Sequence, residues 1–112
     1  MGDFFKSTQY FFTKSYLSEG STFLDVGGSS GTFINAIKTE VANIKPTVID
    51  PNLEALEIGR KNFPYINFCH GYFPQALPKD SKFDVISMQA FFPQIPNWKE
   101  MLLALSKHTR KS

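Results

Sequence analysis

Cysteine and long apolar runs are scarce in this sequence. Its single cysteine, Cys69, cannot form a disulfide within the chain, and no cluster of cysteine and histidine has the spacing of a metal site. No apolar run reaches the roughly 18 residues that a membrane-spanning helix needs. We therefore expect a cytoplasmic protein with no bound metal and no membrane partner.

An excess of either charge is also missing. The 12 Lys and Arg residues nearly balance the 10 Asp and Glu residues, which leaves a formal charge of +2. This balance neither demands nor excludes nucleic acid, but the sequence contains no nucleic-acid-binding module. A small molecule is therefore the substrate expected by default. The hydrophobic fraction of 42% is enough for the core of one domain.

Apolar patterning alternates between short strands and amphipathic helices. Helical spacing of aromatic residues predicts an N-terminal helical segment at 1–20, ahead of a domain at 21–112. Within that domain, Lys45-Pro46 is expected to end the first helix and Pro51 to open the second. Because strands alternate with helices, we expect right-handed βαβ units around a parallel sheet. The predicted strands lie at 22–26, 47–49, 66–70 and 83–88, and the predicted helices follow Gly31, Pro51 and Asn97.

A glycine-rich turn, GGSSG at 27–31, joins the first predicted strand to the first predicted helix. Glycine has no Cβ, so such a turn lets a ligand approach the backbone, and the helix that follows offers free N–H groups to an anionic group. The dinucleotide fingerprint G-x-G-x-x-G fits badly, because Ser29 or Ser30 occupies its second glycine position. A NAD-type oxidoreductase domain is therefore a disfavoured alternative.

Two carboxylates accompany this turn. Asp25 lies within the first strand, where a buried charge is costly unless it has partners, and the alternative is an acid of the turn that faces solvent. Asp50 ends the second strand, where a carboxylate can accept hydrogen bonds from both hydroxyl groups of a ribose. Asp50 could instead cap a helix that begins at Pro51, and the two roles can coexist.

The segment LDVGGSSG at 24–31 resembles the first motif of class I S-adenosylmethionine-dependent methyltransferases, an acid followed by G-x-G-x-G, with Ser29 at the middle glycine position. The resemblance implies a Rossmann-like α/β fold, a three-layer sandwich around a parallel sheet, here truncated to about four strands in the order 3-2-1-4. It also implies S-adenosylmethionine (SAM) as the cofactor, and methyl transfer to an acceptor that we expect to be a small molecule.

The same resemblance implies roles for individual residues. Asp25 would hold the backbone N–H groups of the turn near the ammonium group of SAM, and Asp50 would bind the ribose. Pro51 would lie against the adenine. Tyr72 stands where the family has an acid that reads the adenine amino group, so stacking or a backbone contact would have to replace that acid. The implied cofactor-binding residues are Asp25, Gly27, Gly28, Ser29, Gly31, Asp50, Pro51, Gly71, Tyr72 and Gln89.

The stretch at 83–97 is similar to the family's fourth motif. Pro93 and Gln94 occupy the positions of its two histidines, so no catalytic residue is identified. His70 is expected to be a packed or capping histidine rather than a base.

The family's sheet has seven strands, and we expect the other three to follow Lys111, which makes this chain a partial domain. The fourth strand would then expose an edge through which the chain could associate. A non-catalytic nucleoside-binding fragment is a third interpretation.

Overall fold

The computed structural model describes residues 20–41, 43–88 and 98–109. The predicted helical segment at 1–20 lies outside these ranges except for Gly20, and so does Gln89. Among the described residues, no helix is long and apolar enough to cross a membrane. The strands are β1 (Thr22–Val26), β2 (Lys45–Asp50), β3 (Asn67–His70) and β4 (Val85–Met88), and the helices are α1 (Thr32–Glu40), α2 (Leu53–Asn62) and α3 (Trp98–His108).

The four strands form one parallel sheet in the order β3-β2-β1-β4. Since β1 lies between β2 and β4, the chain first builds the sheet outward on one side and then crosses over to the other side. This is the predicted order 3-2-1-4, and it is confirmed. The carboxyl ends of all four strands consequently meet at one edge of the sheet.

Helices cover the two faces of the sheet. On one face, Ile34 of α1 and Leu56 of α2 are fully buried against Phe23, Val48 and Val85 of the strands. On the other face, α3 contributes Ala104 and Leu105 to a cluster that includes Leu24, Ile49 and Met88. Burying a large apolar side chain stabilises a fold by about 1.5–3 kcal/mol, so these two clusters hold the predicted three layers together.

Pro46 was expected to lie between elements, but it lies inside β2. The N–H of Lys45 donates to Ser21 O on the β1 side at 2.8 Å, so the next backbone nitrogen along the strand faces the β3 side. Pairing with β3 begins only at Thr47. A proline at 46 therefore leaves no hydrogen bond of the sheet unmade.

The prediction that Pro51 opens the second helix is wrong. Helix α2 begins at Leu53, and its N-cap is Asn52, whose side chain accepts a hydrogen bond from Ala55 N at 3.1 Å. Asparagine is among the best N-cap residues because its short side chain reaches the free N–H groups of the first turn. Asp50 is therefore not the helix cap and is left for another role.

The outer edge of the sheet is paired just ahead of β4. Phe83 pairs in parallel with Thr109, and Phe83 N donates to His108 O at 2.8 Å. The residues at the end of α3 thus occupy the strand edge just ahead of β4. The edge that the sequence predicted to be exposed is already paired at this point.

Candidate functional site

The predicted site residues, apart from Gln89, gather at the edge of the sheet where the strands end. The turn at 27–31 follows β1, the segment at 50–52 ends β2 and enters α2, and the segment at 70–72 ends β3. The chain leaves β1 for β2 on one side and reaches β4 on the other, which makes this edge a topological switch point. In open α/β sheets, ligands bind in the crevice outside such a point.

The turn after β1 is shaped by left-handed backbone conformations. Gly27 has φ 76° and Gly31 has φ 85°, values that glycine adopts without steric cost. Ser29, at the position where the family's motif has glycine, has φ 56°, which costs a non-glycine residue about 1–2 kcal/mol. The departure from the motif therefore keeps the turn's shape while adding strain.

The glycines of the turn differ in how much space a side chain would have. A Cβ at Gly28 would lie 2.7 Å from Asp25 Oδ2 and 3.0 Å from Val48 Cγ1, so the sheet below excludes a side chain. A Cβ at Gly31 would lie 3.1 Å from both Ile66 Cδ1 and Phe68 Cζ. At Gly27, by contrast, a Cβ would meet no atom within 4 Å. The turn thus packs tightly against the sheet at Gly28 and is open at Gly27, where a ligand can approach the backbone.

Asp25 is fully buried beneath this turn, at 0% exposure, so the alternative of a turn acid facing solvent is wrong. Ser87 of β4, also at 0% exposure, donates from its hydroxyl to Asp25 Oδ1 at 2.8 Å. Ser87 was not among the residues predicted for the site. The pairing could have been found from the strand order, because β4 lies beside β1 and places Ser87 in register with Asp25.

Asp50 connects the turns that follow β1 and β2. Its Oδ2 accepts a hydrogen bond from Ser29 N at 2.9 Å, and its Oδ1 accepts one from Asn52 N at 2.8 Å. One of the turn N–H groups that the resemblance assigned to Asp25 therefore donates to Asp50. An ionised carboxylate offers about four lone-pair sites, so Asp50 retains about two for a ligand.

The end of β3 completes the edge. Gly71 has φ 142° and donates from its N–H to Asp50 O at 3.0 Å, and a Cβ there would lie 2.6 Å from Ala76 Cβ. His70 Nε2 lies 3.1 Å from Pro51 O, a contact that links the ends of β3 and β2. Tyr72 is 70% exposed, and Pro51 is exposed as well. Two exposed side chains thus lie in the segments that follow β2 and β3 at this edge of the sheet.

A separate groove of about 610 Å³ lies at the opposite edge of the sheet. Its lining includes Thr22, Lys38, Lys45, Tyr65 and Asn67, and it includes none of the predicted site residues. The site described here is therefore distinct from this groove and lies at the carboxyl edge of the sheet.

The model of a family described as a methyltransferase domain matches residues 2–112, which is nearly the whole chain. A search of curated proteins finds no significant match.

Solved structures resemble this chain in fold. The plantazolicin methyltransferase BpumL in complex with SAH has 23% identity and a TM-score of 0.70 over 80% of this chain and 35% of that chain. A TehB-like SAM-dependent methyltransferase from Corynebacterium glutamicum has 15% identity and a TM-score of 0.53 over 63% of this chain and 38% of that chain. A SAM-dependent methyltransferase from Thiobacillus denitrificans in complex with S-adenosyl-L-homocysteine has 24% identity and a TM-score of 0.50, with coverages of 61% and 29%.

These similarities confirm the predicted Rossmann-like fold. The chain spans about a third of the length of the plantazolicin methyltransferase that it matches.

Proposed function

This chain belongs to the methyltransferase domain family, and we propose that it binds SAM and transfers the methyl group of SAM to a small-molecule acceptor. The observation that carries the proposal is the position of Asp50. Its carboxylate ends β2, faces the glycine-rich turn of β1 and keeps about two lone-pair sites beyond its bonds to Ser29 and Asn52. The SAH bound in the similar BpumL structure supports the choice of cofactor.

The residues of the site fit the three parts of SAM. The ribose hydroxyls would donate to Asp50, because hydrogen bonds to a charged acceptor are the stronger kind. The amino-acid part would lie over Gly27, where the turn is open, beside the N–H groups at the start of α1. The adenine would lie against Pro51 and Tyr72, both of them exposed.

The chemistry asks little of the protein beyond binding and orientation. When bound, SAM supplies a methyl carbon that is electrophilic because it is attached to a positively charged sulfur. The chain's part is to hold an acceptor in line with that carbon and to exclude water, which accounts for a large share of the rate gain in such reactions. We accordingly assign no catalytic residue.

A small-molecule acceptor is the default for a sequence without a nucleic-acid-binding motif. The BpumL structure in complex with a triazolic desmethylPZN analog shows that a protein of similar fold binds such an analog. We also propose that residues 21–112 form the SAM-binding unit, with 1–20 as a preceding helical segment.

Two further proposals concern location and association. A cytoplasmic location is supported by the single cysteine, which suits a reducing compartment. Association through the β4 edge beyond Phe83 is supported by the parallel pairing that the edge already makes with Thr109.

The cofactor is tested by calorimetric titration of the chain with SAH and, separately, with NAD. We expect saturable heat with SAH and none with NAD, and the Asp50→Asn variant should bind SAH more weakly. Saturable binding of NAD alone would contradict the proposal and favour an oxidoreductase domain. If SAH binds, transfer of a radiolabelled methyl group from SAM to a panel of small nucleophiles tests the activity.

A further inference from the structure

Ser87 and Asp25 form a polar pair inside the sheet. They are register partners on the adjacent parallel strands β4 and β1, and both are fully buried. The Ser87 hydroxyl has one proton to donate, and it donates to Asp25 Oδ1 at 2.8 Å. Their neighbours on the same face are apolar, among them Val48 and Val85. The hydroxyl therefore fixes one oxygen of a fully buried carboxylate.

This bond determines how the carboxylate faces the turn. With Oδ1 held by Ser87, Oδ2 is directed at the underside of Gly28, 2.7 Å from the point where a Cβ would lie. The turn at 27–31 is thus backed from below by an oriented carboxylate. A charge in such a water-poor position is screened far less than a surface charge, so its field reaches a ligand group on the other side of the turn.

A buried carboxylate is costly unless it has partners, and the Ser87 hydroxyl is one of them. The turn at 27–31 lies directly above this carboxylate and is open to a ligand at Gly27.

We propose that Ser87 is a positioning residue for the amino-acid part of the cofactor, acting through Asp25. Ser87 holds the carboxylate so that its negative charge lies beneath the turn and attracts the ammonium group of SAM or SAH. The inference rests on the proposed function, because it presupposes that the turn receives this part of the cofactor. It predicts that Ser87 matters only for ligands that carry an amino-acid part.

The test compares two ligands by calorimetry: SAH, and 5′-methylthioadenosine, a nucleoside that lacks the amino-acid part. Ser87→Ala should weaken SAH binding about tenfold, because the Asp25 carboxylate is no longer held beneath the turn, and should change the affinity for 5′-methylthioadenosine less than about twofold. Ser87→Cys keeps a weaker donor of similar size and should give an intermediate loss. Asp25→Asn should weaken SAH binding, and adding Ser87→Ala to it should cause little further loss, because the two residues act as one unit.

Thr47→Val is the matched control. It removes another buried hydroxyl of the sheet, from β2, on the face shared with Ile49 and away from the turn. This variant should leave the affinity for both ligands unchanged even if it lowers the melting temperature.

Equal weakening of both ligands by Ser87→Ala would show a purely structural role and overturn the inference, as would unchanged binding of SAH. If Ser87→Ala fails to fold, the affinities of Ser87→Cys and Asp25→Asn for the two ligands are measured instead. Equal weakening of both ligands, or unchanged binding of SAH, would again overturn the inference. A wild-type chain that binds neither ligand would contradict the proposed function itself. A wild-type chain that binds SAH while Ser87→Ala shows no selective loss would contradict the inference alone.

Discussion

The ends of β1 and β2 each carry an aspartate, and the two differ in their hydrogen-bond partners. Asp25 is fully buried, accepts a hydrogen bond from a neighbouring strand and lies beneath the turn. Asp50 is also buried, with 8% of its surface exposed, but it accepts its hydrogen bonds from the backbone of two turns, at Ser29 N and Asn52 N. Under the proposed function, the first carboxylate acts on a ligand through the turn and the second contacts it.

The difference shows that the position of an aspartate along a strand does not by itself determine its role. Asp25 is enclosed because β1 has neighbours on both sides and a turn folded over its end. Asp50 is not occupied in capping α2, because Asn52 is the cap. The surroundings of each aspartate suggest substitutions that would separate the two roles.

The largest effect is expected at Gly28, which packs against Asp25. Gly28→Ala places a Cβ 2.7 Å from Asp25 Oδ2, and because Ser87 holds that carboxylate we expect a loss of about 3 kcal/mol in the free energy of unfolding. Gly27→Ala is the control, since its Cβ meets nothing within 4 Å and only the positive φ is penalised, by about 1 kcal/mol. Urea denaturation measures both, and equal losses would show that Asp25 is not tightly enclosed.

Asp50→Asn should have the next largest effect. Asparagine has one acceptor oxygen, so one of the two N–H groups at Ser29 and Asn52 loses its acceptor, which we expect to cost about 2 kcal/mol of stability. Loss of the charge should also weaken SAH binding by about 30-fold.

Asp84→Asn provides the control for this substitution, at the opposite edge of the sheet. Asp84 accepts hydrogen bonds from Thr22 N and Thr22 Oγ1, both at Oδ2, so the single amide oxygen of asparagine can accept both. The affinity for SAH should not change in this variant. Similar losses of SAH affinity in the two variants would contradict a specific role for Asp50.

Ser29→Gly should stabilise the chain. Relief of the left-handed strain is worth about 1–2 kcal/mol, and the greater freedom of glycine in the unfolded chain offsets part of it, which leaves a gain of roughly 0.5–1 kcal/mol. Ser29→Ala, which keeps the strain, should bring no gain in a thermal melt. A destabilised glycine variant would mean that the serine side chain supports the turn.

Tyr72→Ala should have the smallest effect. With the side chain 70% exposed, stability should stay within about 0.5 kcal/mol, and loss of stacking on adenine should weaken SAH binding about threefold. Tyr72→Phe keeps the ring and should bind as the wild type does. An alanine variant with unchanged affinity would remove Tyr72 from the site.

Much of the fold could be read from local patterns. Apolar strands alternating with helices predicted the parallel sheet, and the resemblance at 24–31 implied its order, which the structure confirms. The errors were local as well. Helix α2 begins at Leu53 rather than Pro51 because the Asn52 side chain reaches Ala55 N. Pro46 fits inside β2 because pairing with β3 begins only at Thr47. Neither is visible in the spacing of apolar residues.

The site was harder to predict because its key contacts join distant parts of the sequence. Ser87 and Asp25 are 62 positions apart, and Ser29 and Asp50 are 21 positions apart. A motif in one segment can flag a carboxylate but cannot show which neighbour encloses it or which backbone N–H donates to it. The left-handed backbone at Ser29 was also not predicted. A glycine at this position would have indicated a positive φ, whereas a serine does not.

The central claim is that the Asp50 carboxylate binds the ribose of the cofactor at the carboxyl edge of the sheet. A crystal structure of the chain, determined from crystals soaked with SAH, tests this claim most directly. We expect both ribose hydroxyls at about 2.5–3.0 Å from the Asp50 carboxylate oxygens, with the amino-acid part over Gly27. Density for SAH at another surface, or a ribose turned away from Asp50, would contradict the account.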